Sequence, residues 1–170
     1  MAGSMFFLVV CAGLCLATPC LATVQTPPLT SCSSTHILLV NVLTLTNAKL
    51  GQAMLFNYTG QLSASLTSSP VFNFTMTKQS DGSLIPCILN LGSCVYKMCG
   101  GNTTIEQEIG EPWNNVCPFA SLNYSSNVGI KIPSIARLII EDRNLHLQIV
   151  ALDGGSVVGC KEFDFNIALS

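Results

Sequence analysis

Leu145–Ile167, LHLQIVALDGGSVVGCKEFDFNI, decides the fold. Leu145, Leu147, Ile149 and Ala151 alternate with His146, Gln148 and Val150, and Phe163, Phe165 and Ile167 alternate with Glu162, Asp164 and Asn166. Apolar residues at every second position share one face of an extended strand, whereas a helix would scatter them around its circumference. Between the two runs, Asp153-Gly154-Gly155-Ser156 carries the turn chemistry of a tight hairpin. Two antiparallel strands with one apolar face follow.

The same period recurs upstream. In Val71–Thr77 (VFNFTMT), Phe72, Phe74 and Met76 face one way and Val71, Asn73, Thr75 and Thr77 the other. Ala53–Leu66 (AMLFNYTGQLSASL), with Gly60 as a bulge candidate, and His36–Thr46 (HILLVNVLTLT) extend the pattern. No long stretch has a 3.6-residue period; Ile105–Ile109 and Ser134–Ile140 each have room for a helical turn or two. Strands with one apolar face bury it against a second sheet, so the expected architecture is an all-β, two-sheet sandwich. The loop 100–115 (GGNTTIEQEIGEPWNN) stands apart: it is long and acidic and holds the single tryptophan. Structureless loops of that length in a compact domain usually serve function.

The N-terminus sets the compartment. Met5–Leu16 is apolar and uncharged, and Cys20-Leu21-Ala22 is a small-x-small cleavage site, so residues 1–22 read as a secretory signal peptide and 23–170 as one domain. Of nine cysteines, Cys11, Cys15 and Cys20 leave with the signal. The even set Cys32, Cys87, Cys94, Cys99, Cys117 and Cys160 remains, which in a secreted chain reads as a disulfide framework whose pairing spacing does not choose. The expected setting is extracellular or the lysosomal lumen. Charged residues are 9% of the chain, against roughly 25% in ordinary soluble domains. Asn57, Asn73, Asn102 and Asn123 each open an Asn-x-Ser/Thr acceptor, and glycans there would supply the missing polarity. A net charge of −2 and the absence of a basic cluster argue against a nucleic-acid partner.

Several chemistries fit poorly. Cys87, Cys94 and Cys99 lack zinc-knuckle spacing, and no histidine lies near them, so no metal or other cofactor is expected. A hydrolase would need a Ser or Thr nucleophile beside His36 or His146; there is no G-x-S-x-G elbow, and Glu106 and Glu108 read as a solvated acidic loop. No catalytic residues are expected, and the chain does not read as an enzyme. An immunoglobulin-type receptor domain would place a tryptophan between paired cysteines, but Trp113 follows Cys87. A carrier of an apolar ligand remains, its sheets parting around the cargo.

The cysteine neighbourhoods sharpen that reading. Ile85-Pro86-Cys87, Leu91-Gly92-Ser93-Cys94, Cys99, Cys117-Pro118-Phe119 and Gly159-Cys160 before an alternating last strand together resemble the ganglioside-activator branch of the lipid-recognition (ML) superfamily. The resemblance spans Cys32 to Leu169. It implies an immunoglobulin-like two-sheet cup with an apolar cavity, and the pairs Cys32–Cys160, Cys87–Cys94 and Cys99–Cys117. A further disulfide of that branch is missing between Cys99 and Cys117, which implies a more mobile loop here. Ile135 stands where the branch has an aromatic after Pro133-Ser134, so ganglioside specificity does not carry over.

Expected cavity residues are Phe72, Phe74, Phe119, Leu147, Ile149, Phe163 and Phe165. Expected rim residues, touching a membrane surface, are Trp113, Ile135, Leu138 and Ile139, because an indole is favourable at a bilayer interface. The expected function is extraction and transfer of a lipid, whether sphingolipid, glycolipid, sterol or fatty acid, with presentation to a lysosomal glycosidase as one outcome. The alternative is a secreted innate-immune protein that recognises microbial lipid in the same cup.

Overall fold

The computed structural model describes residues 22–140 and 143–169; apart from Ala22, the expected signal peptide lies outside them. The strands are β1 (Val24–Gln25), β2 (Thr30–Ser31), β3 (Leu38–Thr46), β4 (Ala53–Leu62), β5 (Val71–Lys78), β6 (Val95–Lys97), β7 (Leu122–Lys131), β8 (Asn144–Asp153) and β9 (Ser156–Asn166). Helix α1 (Thr104–Gly110) and 3-10 turns at Glu111–Trp113 and Ser134–Leu138 lie between them. One antiparallel sheet runs β1-β3-β4-β7 and the other β2-β9-β8-β5-β6. The result is the expected two-sheet β-sandwich.

The period-two readings hold in detail. Phe72, Phe74 and Met76 are buried while Asn73 lies half-buried on the outer face. In the β8–β9 hairpin Leu147 pairs with Phe163 and Leu145 with Phe165, all four buried, and Asp153 pairs with Ser156 across the Gly154-Gly155 turn. Both turn glycines have positive φ, the conformation that makes glycine necessary there. Of the four glycan acceptors, Asn57 and Asn73 are half-buried on strands; Asn102 and Asn123 are exposed.

The disulfides join Cys32–Cys160, Cys87–Cys94 and Cys99–Cys117, the pairs the resemblance implies. Cys32–Cys160, 128 residues apart, ties the lead-in after β2 to β9. Cys99–Cys117 closes the loop that carries α1. Each contributes about 2–4 kcal/mol, chiefly by restricting the unfolded chain. Three such bonds are consistent with an extracellular or lysosomal protein.

The irregularity expected at Gly60 falls on its partner strand. The β3–β4 register shifts between Val40 and Val42, opposite Gly60 and Thr59. Gly60 has a different duty: a Cβ there would stand 2.0 Å from Leu39 O and 2.4 Å from Tyr124 Oη. The Tyr124 hydroxyl crosses this bare position to donate to Leu39 O at 2.8 Å. Gly60→Ala is therefore expected to destabilise the fold by about 1–3 kcal/mol through overpacking, measurable as a lowered urea midpoint. An unchanged midpoint would show that the two strands separate there freely.

Candidate functional site

The inward faces of both sheets meet around an apolar space. β4 supplies Phe56 and Tyr58, and β7 supplies Val128 and Ile130. From the opposite sheet come Phe72 and Phe74 on β5, Ile149 on β8, Phe163 on β9 and Tyr96 on β6. Rings bridge the sheets: Phe56 lies 6.1 Å from Phe163 and 6.4 Å from Phe74; within the second sheet, Tyr96 meets Phe74 edge-on at 5.1 Å. The free volume is about 30 Å³, room for one water molecule, whereas ligand pockets run to about 300–1,000 Å³. The expected cavity is thus not an open one; side chains from both sheets occupy the space it would need.

Of the expected cavity residues, Phe72, Phe74, Ile149 and Phe163 line this space. Leu147 and Phe165 line an adjoining one with Leu45, Met54 and Leu91. Phe119 belongs to neither; its ring stacks on Trp113 at 4.3 Å with planes 8° apart. Sequence reasoning missed Phe56 and Tyr58, although the signal was present: if Asn57 faces out, both neighbours face in. Tyr58 is 6% exposed, and its hydroxyl has no hydrogen-bond partner among the described residues. Burial pushes that phenol up to about 12, and the oxygen of nearby Ser126, whose hydroxyl donates to Glu108 O at 2.9 Å, eases the shift.

Loop 100–115 is not the solvated acidic segment expected. Thr103 and Glu106 form a capping box that starts α1, and Ile105 and Ile109 reach inward to line the central space. The Glu106 carboxylate accepts from the backbone of Lys97 (3.0 Å), Thr103 (3.2 Å) and Asn102 (3.3 Å) and from the Thr103 hydroxyl (2.9 Å). Glu108 Oε2 accepts from Gly129 N at 2.6 Å. One carboxylate thus fastens the helix to β6 and the other to β7, the edge strands of the two sheets, so α1 closes that side of the sandwich.

Trp113 is a correction as well. The indole is 7% exposed, stacks on Phe119, and donates its N–H to Met98 O. With its ring covered and its donor satisfied, it has nothing to gain at a membrane surface. The other rim expectations fare differently. Ile135 and Leu138 are 59% and 75% exposed, and Ile139 is half-buried. Ile135 and Ile139 line a shallow cleft whose other wall is Pro86, Ile88 and Leu91 of the segment around the Cys87–Cys94 loop; Leu138 lies on the same 3-10 turn as Ile135. Leu89 at the tip of that loop is 68% exposed. Two apolar segments thus face one cleft, of which the sequence revealed one.

On the outer face, His146 Nδ1 lies 2.8 Å from Asp164 Oδ1, and Nε2 lies 3.8 Å from Glu162 Oε2. No protein-family model matches the chain, and no curated protein does.

Trp113→Ala is expected to lower stability by about 3–5 kcal/mol, as deletion of a buried aromatic does, read as a large fall in Tm. A Tm within the error of the parent would return Trp113 to the surface. Glu106 gives a pH signature. Burial raises its pKa, but donors from Lys97, Thr103 and Asn102 outweigh burial and hold the carboxyl below its ordinary 4.5. A folded-state pKa below the unfolded one stabilises fully above the unfolded value, and the gain is lost as pH falls through the folded value. Glu106→Gln should therefore cost about 1–2 kcal/mol at neutral pH, with the deficit in Tm retained at pH 5 and shrinking in stronger acid. A deficit that disappears already at pH 5 would contradict this latch.

Proposed function

We propose that the chain is a lipid carrier of the lipid-recognition (ML) type, taking the apolar part of a lipid between its two sheets. The observation that carries the reading is the aromatic seam: both inner faces present rings and branched aliphatics to one shared space. Its supports are the exposed Ile88 and Ile135 lining one cleft, with exposed Leu89 and Leu138 on the same two segments, and the match of all three disulfides to the pairs the resemblance implies. Cargo loading requires the sheets to part and the rings to turn aside.

The physical reason for a carrier is a barrier. A buried methylene contributes about 0.8 kcal/mol, so moving a sixteen-carbon chain through water costs roughly 12 kcal/mol. A protein interior of comparable apolarity nearly cancels that cost, so transfer becomes an exchange between two apolar phases. In this reading the rim rests on the membrane during the exchange, the protein works outside the cytosol or in the lysosomal lumen, and it performs no bond chemistry itself. Presentation of the lipid to a glycosidase is the further step that the resemblance suggests.

Native mass spectrometry of the purified protein incubated with mixed-lipid vesicles is expected to show a one-to-one lipid adduct; no adduct with any lipid class would overturn the proposal. Pairing Ile135→Asp with Leu138→Asp is expected to slow vesicle-to-vesicle transfer at least tenfold, with Tm within a few degrees of the parent. Undiminished transfer would remove the rim from the mechanism.

A further inference from the structure

One charged side chain stands on the apolar inner face. In the β8–β9 ladder Lys161 pairs with Ile149, and Phe163 with Leu147. Directly paired residues of an antiparallel sheet share a face, and residues two apart on a strand share it too. Ile149 and Phe163 both line the central space, and Lys161 lines it with them. Lys161 also lines a surface groove with Pro28, Leu29, Val40 and Val42. Leu29, Val40, Leu43 and Lys161 are common to the groove and the inner space. The two adjoin across these shared residues, and Lys161 stands between them.

The ammonium is half-provided for. Lys161 Nζ donates to Ser31 Oγ at 2.8 Å, and no carboxylate lies within ion-pair distance of it among the described residues. A lysine on an inner face beside apolar neighbours ordinarily pairs with an acid or carries its charge out to water. This one carries its ammonium out beside Ser31, with no acid partner among the described residues, where the surface groove adjoins the inner space.

We infer that Lys161, with Ser31 beside it, is the head-group seat for an anionic amphiphile, a carboxylate or phosphate bearing one long acyl chain, whose chain runs inward past Phe163 toward Phe56 and Phe74. The inference rests on the carrier reading and narrows its cargo. Carboxylate and phosphate offer the same chemistry to a lysine, an anionic oxygen accepting a charge-assisted hydrogen bond. The seat is built from β2, β3 and β9, whereas the apolar rim is built from the Cys87–Cys94 loop and the Ser134–Leu138 turn. Membrane contact and cargo selection are thus assigned to different residues.

The test is titration calorimetry of the full secreted protein with palmitate, lysophosphatidate bearing the same chain, and hexadecanol, each below its aggregation threshold. The parent is expected to bind both anions at least tenfold more tightly than the alcohol; whichever anion binds better identifies the head group. Lys161→Met is expected to erase that preference, and Lys161→Arg to keep it, with Tm unchanged in both. Equal affinity of the parent for anions and alcohol would overturn the assignment whatever the variants do, as would a Lys161→Met protein that still prefers the anions. Failure of the parent to bind all three amphiphiles and every vesicle lipid would sink the carrier reading as well, so the two failures are distinguishable.

Discussion

Phe56 on one sheet meets Phe74 and Phe163 on the other across ring distances of 6.4 and 6.1 Å. That cross-sheet contact is the constraint on which the rest of the molecule turns. Each sheet has one apolar face, and neither face is stable in water; the sandwich exists because the two cover one another. Aromatic rings make this cover adjustable. A ring has two side-chain torsions and a flat body, so it can fill space in one rotamer and clear it in another. The same residues that hold the sheets together when empty are those a bound chain would touch.

The frame around this seam is stiff where stiffness is needed. Cys32–Cys160 fastens one edge. On the other side α1 spans β6 and β7, held by the carboxylates of Glu106 and Glu108. Its cap, its inward Ile105 and Ile109, and the Trp113–Phe119 stack form a closed wall. With that wall closed, the entry that the cargo assignment proposes lies between β3 and β9, where the surface groove adjoins the inner space at Lys161. The closed wall and the lysine on the opposite side are complementary parts of the carrier proposed above.

Legibility in the sequence followed physical periodicity. The strands were readable because period-two alternation is a local property that tertiary contacts reinforce, as at Phe72, Phe74 and Met76. Helix α1 was readable only as a turn or two, although Thr103 and Glu106 have capping-box spacing. What concealed it was the acidic composition: Glu106 and Glu108 look solvated until β6 and β7 bring backbone donors to them. Trp113 was misplaced because an indole suits both an interface and a core, and the deciding partners, Phe119 and Met98 O, are set by the fold. Ile88 and Leu89 went unread because the Cys87–Cys94 loop looked like a staple alone. Lys161 was within reach: the inward phase of Phe163 and Phe165, carried back two residues, lands on it.

The central claim is that the seam itself, not the surface rim, houses the acyl chain. The direct measurement is an isotope-filtered nuclear Overhauser experiment on the protein saturated with carbon-13-labelled palmitate. Cross-peaks from chain methylenes to the rings of Phe56, Phe74 and Phe163 are the expected result. Saturable binding with cross-peaks confined to Ile88, Ile135 and Leu138 would place the lipid on the outside and contradict a carrier whose cargo lies between its sheets.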